Sequence, residues 1–215
     1  MRIIAGTWRG RALQAPPGDT TRPTADRVRQ ALFDMLLHAP WGGRDVVEGA
    51  RVLDVFAGTG ALGLEALSRG GAFATFIEQD RAALAALRAN IATLRAADRT
   101  AVLAGDALTV KALPTQAPAT KPPATAPSPA PGAAPCTLVF LDPPYGAGLV
   151  PRALAHLTAA GWIAPNALIV AETARAEPPL HANLLAERMH GPARINIWRS
   201  PSGDAGRAPP CSPQP

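Results

Sequence analysis

The feature that most constrains the fold is an alternation of apolar runs with helical segments through the middle of the chain. Near-continuous apolar strands joined by helices are typical of a parallel sheet with both faces covered. The predicted strands are Arg51–Phe56, Phe73–Glu78, Thr100–Ala104, Thr137–Leu141 and Ala167–Glu172. The predicted helices are Ala61–Arg69, Arg81–Ala96, Leu149–Ala159 and a shorter one at Ala107–Leu113.

Two further runs follow the last of these strands. Leu184–Met189 and Arg194–Trp198 flank Gly191-Pro192, a pattern that predicts an antiparallel hairpin. Adding the hairpin gives an α/β, Rossmann-like fold with a mostly parallel seven-stranded sheet and helices on both faces.

The start of the chain predicts an extension of this core. Residues 2–13 alternate loosely and carry several arginines, which predicts a short basic β-ribbon. A helix with Thr24 as its cap should follow. We expect three regions: an N-terminal ribbon and helix that is not an independent domain (1–45), a core with a Pro-rich insertion at 114–135 (46–200), and a disordered tail (201–215).

Composition narrows the class of protein. The chain has 215 residues and a formal net charge of +5, which favours polyanionic partners such as nucleic acids. Cys136 and Cys211 form no disulfide framework, and a reducing cytoplasm fits them. The chain has no apolar run long enough to span a bilayer and no signal-peptide core, so no membrane is expected. The histidines show no metal-ligand spacing, so we expect no metal, and we expect a monomer.

A glycine turn follows the first core strand. Gly58, Gly60 and Gly63 have the spacing of a Rossmann turn, and Thr59 lies within it. Glycine lets the backbone approach a ligand closely, and the helix N-terminus offers unpaired amides to an anionic group. Glu78 ends the next strand, where an acid typically holds ribose hydroxyls. The pattern predicts a nucleotide-type cofactor at this turn.

Two more acids fit a cofactor site. Asp106 follows the third strand, a placement that suits a contact to an adenine amine. Asp54 lies inside the apolar first strand, where a buried carboxylate must be paired or hydrogen-bonded. Asp54 could orient the amides of the glycine turn or bind the amino group of S-adenosylmethionine. A nicotinamide cofactor has no such ammonium group, so Asp54 favours S-adenosylmethionine.

A second motif ends the apolar run 138–141. Asp142-Pro143-Pro144-Tyr145 must stop the strand, because proline removes a backbone donor and fixes φ. A carboxylate beside an aromatic ring at a strand's carboxyl end suits a planar base with an exocyclic amine. The alternative interpretation is a Pro-Pro turn with a capping Asp and a surface Tyr.

Together these motifs resemble those of the S-adenosylmethionine-dependent amino-methyltransferases. The segments RIIAGTWRGR (2–11), RPTADRVR (22–29) and FAGTGALGLEALSRG (56–70) are similar to the RsmD-type family of 16S rRNA guanine-N2-methyltransferases. The resemblance implies a class I methyltransferase fold and transfer of a methyl group to N2 of a guanine in the small ribosomal subunit. It also implies that Asp142 and the carbonyl of Pro143 accept the two amine hydrogens while Tyr145 stacks on the base.

The arginines near the N-terminus are candidate RNA contacts. They could bind phosphates, with Trp8 stacking on a base, or they could form only a solvated basic face. The candidates are Arg9, Arg11, Arg22, Arg27 and Arg29.

Three other functions remain open from the sequence. A DNA adenine or cytosine amino-methyltransferase would use the same Pro-Pro-Tyr motif, although no segment is long enough for a sizeable target-recognition domain. The glycine spacing also permits an NAD-dependent oxidoreductase. A non-catalytic RNA-binding assembly factor on the same scaffold is the third.

Overall fold

A computed structural model describes most of the chain. The described residues are 1–16, 23–113, 134–144, 148–178, 180 and 183–202, without the side chains of residues 23–25. The expected insertion and the expected tail therefore lie almost wholly outside the described residues, as do Arg22 and Tyr145.

The core is one seven-stranded sheet. Its strand order is β3-β2-β1-β4-β5-β7-β6, and β7 runs antiparallel to both of its neighbours while the other pairs are parallel. The strands are β1 (Arg51–Val55), β2 (Phe73–Glu78), β3 (Thr100–Ala104), β4 (Cys136–Leu141), β5 (Ile163–Ala174), β6 (Ala186–His190) and β7 (Ala193–Arg199). The predicted α/β fold with a mostly parallel seven-stranded sheet is confirmed.

Helices cover both faces of the sheet. They are α1 (Pro23–His38), α2 (Ala61–Ser68), α3 (Arg81–Leu94) and α4 (Leu149–Ala159). Buried side chains of α1, α2 and α3 share one core with one face of the sheet, and those of α4 share a second core with the other face. Because successive side chains of a strand point to opposite faces, a residue's position in the strand decides which of the two cores its side chain joins. The same alternation decides on which face of the sheet a side chain at the strand's end lies.

The segment 107–113 is not the predicted helix. It makes one turn, closed by a hydrogen bond from Thr109 N to Asp106 O at 3.0 Å. The indole Nε1 of Trp162 donates to the carbonyl of Lys111 at 3.0 Å, and His156 Nε2 lies 2.9 Å from the carbonyl of Val110. These contacts hold the segment against α4 and the residue before β5, so tertiary contacts override the local propensity.

The fifth strand is longer at both ends than predicted. β5 already pairs with β4 at Ile163, and the pairing shifts register between Cys136 and Leu138. Asn166 has a φ of +59°, so the strand is locally irregular there, although its pairing continues on both sides. The predicted strand began only at Ala167, after this irregularity.

The N-terminal extension also differs from the prediction. The expected ribbon is reduced to a single antiparallel bridge between Arg2 and Ala12, supported by a hydrogen bond from Ile3 N to Arg11 O at 2.9 Å. The helix α1 begins at Pro23, so Thr24 lies inside it and is not its cap. Proline suits the first helical position because its φ is already helical and it has no N–H to leave unpaired.

Candidate active site

Acidic side chains line the carboxyl edge of four neighbouring strands. Ile77 of β2 pairs with Val55 of β1, Val55 with Leu141 of β4, and Leu141 with Ala171 of β5. The next residues along three of these strands carry carboxylates at the same level: Glu78, Asp142 and Glu172. Asp54 of β1 pairs with Phe140, two residues before Asp142. Because side chains two residues apart in a strand point to the same side, Asp54 lies on the same face as these carboxylates, further from the edge.

The glycine turn lies above this row and depends on its glycines. Gly58 has a φ of +55°, and a Cβ atom built on it would meet no atom within 4 Å, so its open side can admit a ligand. Gly63 is different: its Cβ would lie 2.5 Å from Cε1 of Phe76 and 3.1 Å from Oδ2 of Asp54. Gly58 therefore leaves the turn open, and Gly63 lets α2 pack against the sheet.

The residue before the turn has an uncommon backbone conformation. Phe56 follows β1 directly and has a φ of +61°, in the left-handed region that non-glycine residues rarely occupy. Such strain concentrates at functional sites, where the surrounding structure over-determines it. The bend turns the chain sharply across the carboxyl edge of the sheet and delivers Gly58 to the end of β2.

Glu78 holds the turn in place. Its Oε2 accepts a hydrogen bond from Gly58 N at 2.7 Å, and its Oε1 accepts from Gln79 N and Asp80 N, both at 2.8 Å. Glu78 is only 9% exposed. A carboxylate with two oxygens retains acceptor capacity beyond these three bonds, so the same side chain can fix the turn and receive a ligand hydroxyl.

Asp54 lies beneath the turn. It is 2% exposed, and its Oδ2 accepts a hydrogen bond from Gly63 N at 2.8 Å. Burial raises the pKa of Asp54 to about 8 against the opposing effect of this hydrogen bond, and the nearby carboxylates of Asp142 and Glu78 raise it further. A positively charged ligand above the turn would relieve this repulsion and favour the ionised form.

The other two predicted cofactor residues lie beside the turn. Thr59 is buried, and its carbonyl accepts a hydrogen bond from Asn90 Nδ2 at 3.0 Å. Asp106 is half-buried beyond β3, where its Oδ1 accepts from Leu108 N at 2.9 Å. Gly105, just before it, donates its N–H to the carbonyl of Glu78 at 2.8 Å, which ties the Asp106 segment to the end of β2.

A cavity of about 350 Å³ opens on the other side of Asp142. Asp142 is accessible from this cavity, while protein atoms crowd its other sides. That crowding, together with the carboxylate of Glu172, raises the pKa of Asp142 to about 7. The lining is mostly apolar, with contributions from α1, α2, β5 and β7, and its polar members are Arg29, Asp142, Glu172 and His190. Pro143 is buried beside it, and Tyr145 lies outside the described residues.

Comparisons with known proteins show which family the chain belongs to. The model of the family described as "Conserved hypothetical protein 95" matches residues 1–198. Ribosomal RNA small subunit methyltransferase D of Escherichia coli is 43% identical over 173 residues, covering 80% of this chain and 74% of that protein. The chain belongs to the RsmD-type methyltransferase family. The predicted family resemblance is therefore confirmed.

Other relatives extend the RsmD-type match along most of the chain. The Haemophilus influenzae protein of the same name is 34% identical, over 93% of this chain and 94% of its own length. The solved structure of yhhF from Escherichia coli superimposes with a TM-score of 0.72 and 37% identity, covering 94% of this chain and 98% of that one.

A more distant solved structure shares the fold alone. It is a 16S rRNA N2 methyltransferase from Thermus thermophilus (RsmC), in complex with AdoMet and guanosine. Its TM-score is 0.55 at 19% identity, over 85% of this chain and 44% of that one. The class I methyltransferase fold predicted from the sequence is confirmed.

One predicted RNA contact of this RsmD-type chain is wrong. Arg29 is only 5% exposed, and its NH2 group donates to Asp26 Oδ1 at 2.9 Å and to the carbonyl of Arg2. Its Nε lies 3.7 Å from Oε2 of Glu65, which is fully buried. The guanidinium is therefore committed to partners inside the protein at the wall of the cavity, and it is not on the surface where a phosphate could reach it.

The remaining described candidates are on the surface. Arg9, Arg11 and Arg27 are exposed. Arg9 and Arg27 line a second cavity of about 510 Å³, together with Arg2 and Gln30. Trp8 is half-buried with the guanidinium of Arg99 5.2 Å from its ring centroid, so this residue packs within the protein. The structure thus brings two predicted RNA contacts together between the N-terminal bridge and α1.

Sequence reasoning missed the residues that attach the N-terminus to the core. Glu65 accepts hydrogen bonds from Ile4 N at 2.7 Å and from Ala5 N at 3.0 Å, and it pairs with Arg69 Nε at 2.7 Å. Asn90 bonds Gln14 in both directions and also holds the carbonyl of Thr59. Buried polar residues within α2 and α3 were the available signal, because such residues must find partners.

Glu172 was also missed as a site residue. It was predicted only as the last residue of a strand, although an acid ending an apolar strand had marked Glu78 by the same rule. Among the described residues, no group of three or more histidine, cysteine or acidic side chains could hold a metal ion. None of the helices in the described ranges has both the length and the apolar character needed to cross a membrane.

Proposed function

We propose that this chain uses S-adenosylmethionine to methylate the exocyclic N2 amine of a guanine in 16S rRNA of the small ribosomal subunit. The observation that carries the proposal is the position of Asp142, which lies between the glycine turn and an apolar cavity. The relatives named ribosomal RNA small subunit methyltransferase D support the ribosomal substrate.

The charges of the site favour this cofactor. Glu78, Asp54 and Asp142 place carboxylates near one another. The pKa values of Asp54 and Asp142 are raised by desolvation from the surrounding protein atoms and by like charge. S-Adenosylmethionine carries a positive sulfonium and an ammonium group, which would offset that repulsion. A dinucleotide cofactor would instead bring the negative charge of its pyrophosphate. We propose Asp54, Gly58, Thr59, Gly60, Glu78 and Asp106 as the cofactor-binding residues.

The chemistry needs a positioned amine and a proton acceptor. S-Adenosylmethionine held at the glycine turn would supply an activated methyl group to the amine nitrogen, with the electron pair of the carbon–sulfur bond returning to sulfur. One amine proton must then depart. Asp142, whose pKa is about 7, is suited to accept it near neutral pH.

Orientation supplies much of the rate enhancement. Asp142 and the carbonyl of Pro143 would each accept one amine hydrogen, which directs the nitrogen lone pair at the methyl group. Tyr145 would stack on the base. Holding two reactants in line in this way lowers a barrier by several kcal/mol, on the order of 7 in favourable cases. The target guanine must leave its helix or be unpaired to enter the cavity.

The phosphates flanking the target would meet the exposed arginines. Arg9 and Arg27 line the second cavity between the N-terminal bridge and α1, the helix that also borders the cavity beside Asp142. Contacts of this kind position an RNA without reading its sequence. We propose Arg9, Arg11 and Arg27 as phosphate contacts, and Arg22 remains a prediction.

The decisive experiment supplies the protein with labelled S-adenosylmethionine and small ribosomal subunits that lack the modification. Label should appear in 16S rRNA, and digestion to nucleosides should yield N2-methylguanosine. Duplex DNA and protein-free 16S rRNA serve as parallel substrates. Label on an adenine or cytosine amine, label on DNA alone, or binding of the subunit without transfer would each overturn the proposal.

A further inference from the structure

The cavity beside Asp142 contains a second carboxylate that the proposed methyl transfer does not use. Glu172 follows Ala171 on β5, and Asp142 follows its register partner Leu141 on β4. Adjacent parallel strands lie about 4.8 Å apart, so the two side chains emerge side by side from the same edge. Both line the cavity of about 350 Å³.

The strand order gives these carboxylates different distances from the glycine turn. β4 lies between β1, which carries the turn, and β5. A base in the cavity that presents its reacting amine to Asp142 would therefore present its next ring atom to Glu172, one strand further from the turn. The proposed methyl donor sits on the turn side, so this order directs the amine towards the donor.

Among the common bases, guanine fits such a pair of acceptors. Its Watson–Crick edge presents N2–H and N1–H donors next to each other, and O6 follows as an acceptor. Adenine and cytosine also carry an exocyclic amine, but the adjacent ring nitrogen has a lone pair and no hydrogen. A carboxylate facing that lone pair would meet an acceptor with an acceptor, an unpaired arrangement that costs affinity.

We propose that Glu172 accepts the N1–H of the target guanine and is the residue that selects guanine over adenine and cytosine in this cavity. The proposal rests on the proposed guanine-N2 methylation and adds the determinant of base choice. Glu172 is half-buried and interacts electrostatically with Asp142. A carboxylate has two oxygens and about four lone-pair sites, so Glu172 can accept from the base in addition to its partners within the protein.

The rest of the lining is consistent with the third position of the guanine edge. His190 is a nitrogen-bearing side chain on the same cavity, and O6 requires a hydrogen-bond donor. Apolar residues such as Leu32, Val170 and Ile195 provide flat contact for the ring faces. The cavity thus combines two carboxylate acceptors with the imidazole of His190 at its polar wall.

The test compares guanine with 2-aminopurine at the nucleotide that the labelling experiment identifies. 2-Aminopurine keeps the N2 amine but has an unprotonated N1 and a hydrogen in place of O6. It therefore keeps the nucleophile and removes the proposed contact, and the loss of O6 is common to the wild type and every variant. The wild-type protein should methylate the guanine RNA at least about a hundredfold faster, measured as kcat/KM. Glu172→Gln should lower kcat/KM on guanine by about tenfold to a hundredfold, because a charge-assisted hydrogen bond is lost.

The informative quantity is the ratio of kcat/KM on the guanine RNA to kcat/KM on the 2-aminopurine RNA, measured for each variant. The amide of Glu172→Gln can donate to an unprotonated N1, so the preference for guanine should shrink to within about fivefold. Glu172→Asp keeps the charge and should keep the preference at a lower rate. Glu48→Gln, at an exposed carboxylate away from the cavity, is the matched control and should behave as the wild type.

The outcomes separate this inference from the proposed function. If the wild-type protein methylates guanine and Glu172→Gln keeps the wild-type preference over 2-aminopurine, the inference is overturned and the proposed function stands. If the wild-type protein methylates neither RNA, the proposed function itself fails. S-Adenosylmethionine affinity and melting temperature, measured on every variant, would reveal an unfolded protein. If Glu172→Gln is unfolded, the preference of Glu172→Asp for guanine over 2-aminopurine decides: a kept preference supports the inference, and a lost preference overturns it.

Discussion

The two halves of the active-site edge hold their carboxylates in different ways. On the glycine-turn side, Glu78 accepts three backbone N–H groups and Asp54 accepts one. On the cavity side, none of the residues that the structure describes donates a hydrogen bond to the carboxylate of Asp142. Backbone amides of the protein complete the first half, and the carboxylate of Asp142 in the second half is available to a ligand.

This difference indicates which property should be lost when a residue of each half is substituted. A carboxylate that holds the backbone contributes both to stability and to cofactor binding. A group that meets only the substrate contributes to turnover, and its removal can even relieve electrostatic repulsion in the free protein. The predictions below use this contrast, beginning with the largest expected effect.

The strongest test is Asp142→Ala. We expect turnover to fall about a thousandfold, because the amine loses both its orienting acceptor and its proton acceptor. S-Adenosylmethionine affinity should change by less than about threefold, and the melting temperature should not fall. Single-turnover methyl transfer and calorimetric titration measure these quantities.

Asp142→Asn is the matched variant for that test. It keeps one acceptor oxygen without the charge, so its turnover should lie between those of the wild type and Asp142→Ala. A loss of cofactor affinity parallel to the loss of turnover would contradict the contrast between the halves.

A pair of glycine substitutions separates bracing from ligand access within the turn. Gly63→Ala should destabilise the protein by about 1–3 kcal/mol, since the new methyl group would overlap the ring of Phe76. Gly58→Ala meets no protein atom and should cost about 1 kcal/mol through its positive φ, yet it should weaken cofactor binding at least about tenfold. Chemical denaturation and cofactor titration of both proteins give the comparison. An equal loss of cofactor affinity in both variants would show that ligand access does not depend on Gly58 more than on Gly63.

The pH dependence of stability tests the burial of Asp54. Because its pKa in the folded protein is raised to about 8, the native state holds a proton that the unfolded state releases near pH 4. The free energy of unfolding should therefore fall as pH rises from about 4 to about 8, by up to about 1.4 kcal/mol per pH unit from this group. Asp54→Asn should remove that component and keep an acceptor for Gly63 N. Denaturation midpoints at several pH values measure it.

Exposed Asp98 offers the control for this experiment. Asp98→Asn should leave the slope of stability against pH as it is in the wild type. Parallel slopes in the wild type and Asp54→Asn would mean that Asp54 is already ionised in the folded protein.

The smallest effect concerns the approach of RNA to the open half. Arg27→Ala should weaken binding to small-subunit RNA and reduce the slope of log affinity against log salt by about 1, as expected for one lost phosphate contact. Stability should stay within about 0.5 kcal/mol because Arg27 is exposed. Arg88→Ala, at an exposed position of α3, is the matched control. An unchanged salt slope for Arg27→Ala would remove this residue from the RNA surface.

The sequence predicted the sheet and the turn because their signals are local. Apolar runs of strand length marked β1, β2 and β3 almost to the residue. The glycine spacing placed Gly58 at the end of β1, where the structure has it. Buried parallel strands need little more than this pattern, since both of their faces are apolar.

The errors arose where distant residues decide the local structure. Trp162 and His156 contact the carbonyls of Lys111 and Val110 and hold the segment 107–113 in a non-helical conformation. Arg29 looked like one more basic residue of α1, but the buried carboxylate of Glu65 draws it inwards. Spacing along the chain does not show that Trp162 and His156 contact the segment 107–113, or that Arg29 contacts Glu65. These contacts form only when the helices pack on the sheet.

The attachment of the N-terminal residues affects how the chain reaches its native state during synthesis. Ala5 binds Glu65 across 60 residues, and Gln14 binds Asn90 across 76. During synthesis this segment therefore has no lasting partner until α2 and α3 have followed it. Bringing such remote positions together is slow, and a newly made protein should acquire its amino-terminal contacts late.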